Sequence, residues 1–301
     1  AASGRPLTWL ALLSRADKPE AGPEILARCD DQHRRGAKPS VAVRPMILAV
    51  QLKGNPLIMG ALQTMLRAFN CDVDAQMRIY ADADFRRDLR AEMARPGLVP
   101  WRWDRISVGA ASSPTLARHI GRPVADIARE RNADPVDTFL DLAIEDRLDL
   151  SYNMPLFNTE DQLCAELFND PRTLVSLSDG GAHADMLCDA GFSTYLLGHF
   201  WRDQHLTSLE RAVQLLTSRQ ADFLGLNDRG RLAPGMAADV VVFDPARVGS
   251  PLRPETVHDF PGGCSRLITR PTGIGHVIVN GHTVVSHGEV TGARPGQLLR
   301  N

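Results

Sequence analysis

The sequence predicts an α/β protein, with strand–helix units filling residues 1–229 and a small β-rich region at 230–301. Three observations carry this reading. A β-branched and aliphatic run, TLVSLS at 173–178, leads straight into Asp179-Gly180-Gly181. Helices with legible start signals alternate with such runs upstream, and Asp134-Pro135 is the clearest of them. Downstream, Asn280-Gly281 lies between HVIV and TVVS, the strongest short-range hairpin signal.

Taken in order, the first thirty-odd residues read as a helix-rich connector, with Pro23 in a first turn and Gly36 as a stop. Residues 38–52, KPSVAVRPMILAVQL, suit a buried strand followed by a loop, broken once at Pro45. Residues 60–70 carry a helical stripe of Leu62, Met65, Leu66 and Phe69, and a charged helix covers 86–95. A strand is expected at 104–109, with Trp101 and Trp103 at its mouth. Short helices follow at 124–131 and from Asp134, whose apolar positions Val136, Phe139, Leu140 and Ala143 share one face. Thr159 is read as capping a helix to Phe168, Thr207 with Glu210 as a capping box, and Ser218 as capping a helix closed by Gly225. DVVVF at 239–243 is a buried-type strand.

Composition narrows the function classes. The 301 residues hold 34 Lys+Arg against 36 Asp+Glu, a net charge of -2, which leaves no basic footprint for nucleic acid. No apolar stretch approaches the ~20 residues of a membrane span, and no signal peptide is visible, so no membrane partner is expected. Five widely spaced cysteines without a CxxC pair argue against a disulfide framework or structural zinc site, and a reducing cytoplasm is the expected setting.

The chemistry centres on Ser178-Asp179-Gly180-Gly181-Ala182-His183. In parallel α/β proteins catalytic residues sit at the carboxyl ends of strands. An Asp there, followed by two glycines that allow close approach, suits acid/base work or metal binding. A capping Asp in a Gly-rich turn fits the same residues. Gly230 to Asp239, ahead of VVVF, is a Pro-Gly turn into a strand and reads as structural.

With these pieces in hand, the chain resembles the amidohydrolase superfamily, specifically the C-terminal half of the N-acyl-D-amino-acid deacylase (D-aminoacylase) group. The likeness rests on LVSLSDGGAHADMLCDAGFSTYLLGHF (174–200), LTSRQADFLGLNDRGRLAPGMAADVVVFDP (216–245) and HVIVNGHTVVSHGEVTGARPGQLLR (276–300), in that order and spacing. A weaker likeness in GRPLTWLALLSR and GRPVADIARERNADPVDTFLDLAIED extends it over most of the chain. The resemblance implies the C-terminal part of a (β/α)8 TIM-like barrel plus a small β-sandwich. It implies zinc-assisted hydrolysis of the amide of a small-molecule N-acyl amino acid. Asp179 then matches the aspartate at the end of the last barrel strand, both metal-approaching and the general base and acid. Gly180, Gly181 and His183 become substrate-side residues, and Arg44, at a strand end, is a candidate for a substrate carboxylate.

The sequence departs from that pattern in one respect. It contains no His-x-His, and by count it holds about the last two barrel strands. A catalytic zinc takes roughly three protein ligands, so most are expected from an N-terminal portion not in this chain. Two other readings stay open: a non-catalytic module of the same fold that needs a partner chain or a second copy, and a related cyclic amidase. His199 and His205 read as packing or surface, and His258, His276, His282 and His287 as structural. Trp101 and Trp103 fit either an acyl-pocket wall or the core.

Overall fold

The computed structural model describes residues 5–97, 99, 101–178, 180 and 184–299. Its strands are β1 (Leu7–Leu12), β2 (Ala37–Val41), β3 (Met46–Gln51), β4 (Ser107–Ala110), β5 (Ser151–Phe157) and β6 (Leu174–Val175). After these come β7 (Val240–Phe243), β8 (Glu255–Val257), β9 (Arg266–Ile268), β10 (Ile274–Val279), β11 (His282–Ser286) and β12 (Glu289–Val290). The chain divides into two compact units, residues 1–46 with 157–301, and residues 47–156. The change of character near residue 230 falls inside the first of them. No helix among the described residues is long and apolar enough to cross a membrane.

In the first unit β1, β2 and β6 form a parallel sheet in the order β1-β2-β6, with Leu7 opposite Ala37 and Val41 opposite Val175. Parallel strands usually have both faces covered, and β2 and β6 are largely buried here, whereas Leu7 and Leu10 of β1 are exposed. Leu12, Val41 and Val175 pack with Phe168, Leu196, Phe200 and Leu215 from the surrounding helices. Phe168 and Phe200 meet edge to face at 4.9 Å. Phe200 lies in a π-helical stretch of 8 residues, Leu196–Asp203, whose Gly198 lies so close to Val248 O that a Cβ would approach to 2.6 Å. The tail forms an antiparallel sheet in the order β12-β11-β10-β7. Asn280 and Gly281 turn between β10 and β11 at φ of 45° and 78°, the left-handed pair that a two-residue hairpin requires. A second hairpin joins β8 to β9.

The second unit is built on the sheet β3-β5-β4 and the helices Val73–Ala81, Ala83–Met93, Val124–Arg131 and Pro135–Glu145, with a single turn at Pro114–Ala117. Three of these start on an aspartate whose carboxylate accepts a backbone N–H: Asp72 from Ala75, Asp82 from Phe85 and Asp134 from Val136. Tyr80, Phe85, Leu89, Phe139, Leu140 and Tyr152 are its buried core. Trp101 stacks on Trp103 at 5.9 Å, and Trp103 packs on Phe139 at 5.5 Å, so the tryptophans join the aromatic core of this unit.

Several local expectations change. Residues 38–52 make two strands in different sheets, because Ala42–Pro45 interrupts pairing and the residue before a proline is kept extended. The N-terminal stretch contains β1 before its helices. Residues 57–61 and 65–68 are separate 3-10 turns, not one helix. The cap at the helix Leu209–Leu216 is Ser208, which accepts from Arg211 N, not Thr207. The helix expected from Thr159 runs Asp161–Asn169, and no side chain caps it.

His119 in the second unit is 3% exposed. Burial, then the charges of Arg118, Arg122 and Arg131, pushes its imidazole below the ordinary 6.5. Folded protein therefore resists a proton that the unfolded chain accepts, and stability falls as pH drops below about 6.5. His119→Gln should flatten that loss below about pH 6.5, read from urea midpoints across a pH series; an unchanged slope would exclude His119 as its source.

Candidate active site

The motif leaves the sheet at the carboxyl end of β6. Ser176 N–H donates to Val41 O at 3.1 Å, one further rung of the parallel ladder. Then Leu177 adopts φ of +86°, a left-handed conformation that non-glycine residues seldom hold, and the strand ends. This is why β6 stops at Val175 and does not run to Ser178. Ser178 Oγ accepts the N–H of Gly180 at 3.3 Å. Gly180 is exposed. Asp179, Gly181 and His183, three of the five residues singled out as a site, lie outside the described residues.

The strand feeding the motif is fixed from behind by the helix Ser218–Leu224. Gln220 Nε2 donates to Val175 O at 2.8 Å and Arg219 Nε to Thr173 O at 2.9 Å. Arg219 also donates to Pro171 O. Beyond the motif the chain returns to it: Asp189 N–H donates to Ser178 O at 2.8 Å. The β9 strand grips the same loop, since Leu267 N–H donates to Ala184 O at 2.6 Å. Ala184, Asp185, His258 and Cys264 help to line a shallow cavity of about 540 Å³ there.

Arg44 lies three residues past the end of β2 and is 1% exposed. Its Nε donates to Asp189 Oδ1 at 3.1 Å, Nη1 to Ser250 Oγ at 2.8 Å, and Nη2 to Pro251 O at 2.9 Å and Leu252 O at 3.0 Å. Its guanidinium lies 5.0 Å from the centre of the Tyr195 ring. The fork that the sequence offered to a substrate carboxylate is thus already matched by acceptors of this chain. Tyr195 stacks on His199 at 4.6 Å, and His199 Nε2 is 2.8 Å from Asp161 Oδ2. Burial first, then Asp161, pushes the Tyr195 hydroxyl well above its ordinary value, which keeps it neutral. Burial does the same for the Cys164 thiol, an inert core residue.

Sequence reading overlooked Asp189, Tyr195 and Ser250. A signal was present for Asp189, because an arginine placed at a buried strand end requires a carboxylate, and Asp189 follows the motif closely. Among the described residues no group of three His, Cys, Asp or Glu side chains could hold a metal ion.

Comparison with known proteins supplies the family. The amidohydrolase family model matches residues 59–285. An uncharacterized protein of Mycobacterium tuberculosis (strain H37Rv) is 29% identical over 216 residues, 67% of this chain and 35% of its own length. The N-acyl-D-glutamate deacylase of Alcaligenes xylosoxydans xylosoxydans is 41% identical over 110 residues, 36% of this chain and 20% of that protein. The D-aminoacylase of the same organism is 36% identical over 124 residues, covering 40% of this chain and 24% of the enzyme. A solved N-acyl-D-glutamate deacylase from Bordetella bronchiseptica aligns with 100% of this chain and 51% of its own, at 21% identity and a TM-score of 0.49. The chain therefore spans about a third or less of the length of these curated relatives. With the family model matched over well more than half of its residues, the chain belongs to the amidohydrolase family, with its likeness inside that family to the D-aminoacylases.

Proposed function

We propose that this chain forms the Asp179-bearing portion of a metal-dependent amide hydrolase that cleaves N-acyl-D-amino acids to a carboxylate and a D-amino acid. The observation that supports it most is that the Ser178-Asp179-Gly180 sequence follows the carboxyl end of a strand paired in parallel, within a chain of the amidohydrolase family. In this reading β1, β2 and β6 are a stretch of a (β/α)8 barrel, and the region from residue 230 onward is a layer of a β-sandwich.

The Asp179 carboxylate takes the proton of the attacking water and returns it to the leaving nitrogen. Gly180 and Gly181 let the substrate amide approach the backbone, and His183 lines the pocket. Zinc is the metal proposed. A catalytic zinc takes about three protein ligands, and the described residues do not by themselves make such a set. Asp179 and His183 would join ligands supplied by the same polypeptide or by a second chain.

The test is hydrolysis of N-acetyl-D- and N-acetyl-L-amino acids by the chain, alone and together with the segment that completes the ligand set. Zinc-dependent release of the D-amino acid, with little release from L, is expected of the completed protein. Failure of the completed, zinc-loaded protein on this panel, together with turnover of hydantoin-type rings, would select the cyclic amidase. No turnover of either class would leave a non-catalytic module.

A further inference from the structure

We propose that Arg44 is a positioning residue for the strand end at Ser178, next to Asp179 in the sequence, acting through Asp189 and not through contact with substrate. This rests on the reading of Asp179 given above.

The geometry forms an unbroken relay. Arg44 Nε holds the Asp189 carboxylate at 3.1 Å, and the backbone N–H of the same Asp189 holds Ser178 O at 2.8 Å. Ser178 is bonded to Asp179, and its Oγ takes the N–H of Gly180 on the far side. The two described residues on either side of position 179 are thereby held. On the sheet side Val41 O holds Ser176 N–H at 3.1 Å, and Arg44 follows β2 three residues later. One strand end thus reaches the turn by two routes, the ladder and the guanidinium.

Two further observations indicate why a relay is needed here. Leu177 at φ of +86° is in a conformation that persists only where its surroundings over-determine it. An ion pair at 1% and 7% exposure is also a poor stability device, because apolar groups of similar size often do as well. What the pair supplies is direction. The arginine is itself held on several sides: its carbonyl accepts from Asn158 Nδ2 at 3.2 Å, Tyr195 covers its face, and Ser250, Pro251 and Leu252 take three further N–H donors. Ser250 Oγ donates in turn to Gly191 O at 3.0 Å, and a Cβ on Gly191 would meet Ser250 at 2.8 Å. The segment after the turn is therefore seated against the arginine and cannot drift from it.

The experiment compares hydrogen exchange and kinetics in Arg44→Lys, Arg44→Met, Asp189→Asn and the double variant Arg44→Met/Asp189→Asn. The double variant leaves no charge buried alone, so it keeps the test open if either single variant folds poorly. Amides at 176–192, the Asp189 amide above all, should exchange at least tenfold faster in each variant that breaks the pair. The double variant should be no worse than the worse single one, and Arg44→Lys intermediate. The helix Asp161–Asn169 should stay within twofold. In the completed enzyme kcat should fall with KM within twofold. Equal loosening of 161–169 and 176–192 would reduce Arg44 to a packing role and overturn the proposal. So would additive effects in the double variant, or a rise in KM at constant kcat, which would make Arg44 a substrate contact. The expected exchange pattern in a protein that hydrolyses no amide would uphold the relay and reject the hydrolase reading instead.

Discussion

Asp179→Asn is expected to lower amide hydrolysis by about a hundred- to ten-thousand-fold while the thermal midpoint stays where it is. Asparagine keeps the shape of the side chain and its capacity to accept hydrogen bonds from the turn. It cannot accept a proton at neutral pH, so neither water activation nor delivery of a proton to the leaving nitrogen remains. The loss should persist at every pH, because no titration restores a carboxylate. Assay of N-acetyl-D-amino acid turnover beside a melting curve separates the two effects. A variant retaining a tenth or more of the activity would falsify the role of Asp179. A variant that melts early would show instead that the carboxylate caps the turn, the bland alternative that the sequence left open.

On the folding side the largest effect is expected from Gly273→Ala. Gly273 holds φ of +73°, and a Cβ there would lie 2.4 Å from Val248 N and 2.5 Å from Arg247 C. Both neighbours are backbone, and the approach is locked. Asp244 N–H donates to Gly273 O at 2.8 Å, and Thr272 and Gly249 exchange backbone bonds at 2.8 and 3.3 Å. Val248, fully buried, cannot retreat into the core it fills. Left-handed strain and overpacking together should cost about 2–5 kcal/mol. Gly235→Ala is the matched control, with φ of +86° and nothing within 4 Å of a Cβ. It should cost only the backbone part, about 1–2 kcal/mol. Urea denaturation of the pair isolates the clash, and equal losses would show that backbone strain alone explains both.

The sequence was most informative where one residue decides local geometry. Asp134 caps and Pro135 opens the helix to Glu145, and Asn280-Gly281 turns β10 into β11. Gly225 closes its helix at φ of 72°. Patterning failed where the deciding partner is remote. LTWLAL in β1 becomes a strand because Ala37 and Lys38 lie beside it, and no local signal announces that pairing. The continuous apolar look of residues 38–52 hid a break at Arg44 and Pro45 where the chain passes from one sheet to another. At the candidate site the strand that leads toward the Asp-Gly-Gly motif was legible, although it ends at Val175 and not at Ser178. The left-handed Leu177 and the relay from Arg44 were not, since both depend on Asp189 and Ser250 returning from later in the chain.

The pairing of β2 with β6 brings Ser40 beside Leu174 and so encloses the whole second unit, residues 47–156, within one loop of the first. Closing so long a loop from an open chain is slow, and its entropic cost rises with the logarithm of the length. A unit that has already collapsed shortens that loop to the reach between its own entry and exit. Topology therefore predicts an order of events: residues 47–156 should condense first, and β2 and β6 should pair only afterwards. The strand end that precedes Asp179 is on this view the last part of the chain to order. A lesion in the inserted unit should therefore delay the pairing of β2 with β6 even where it touches neither strand.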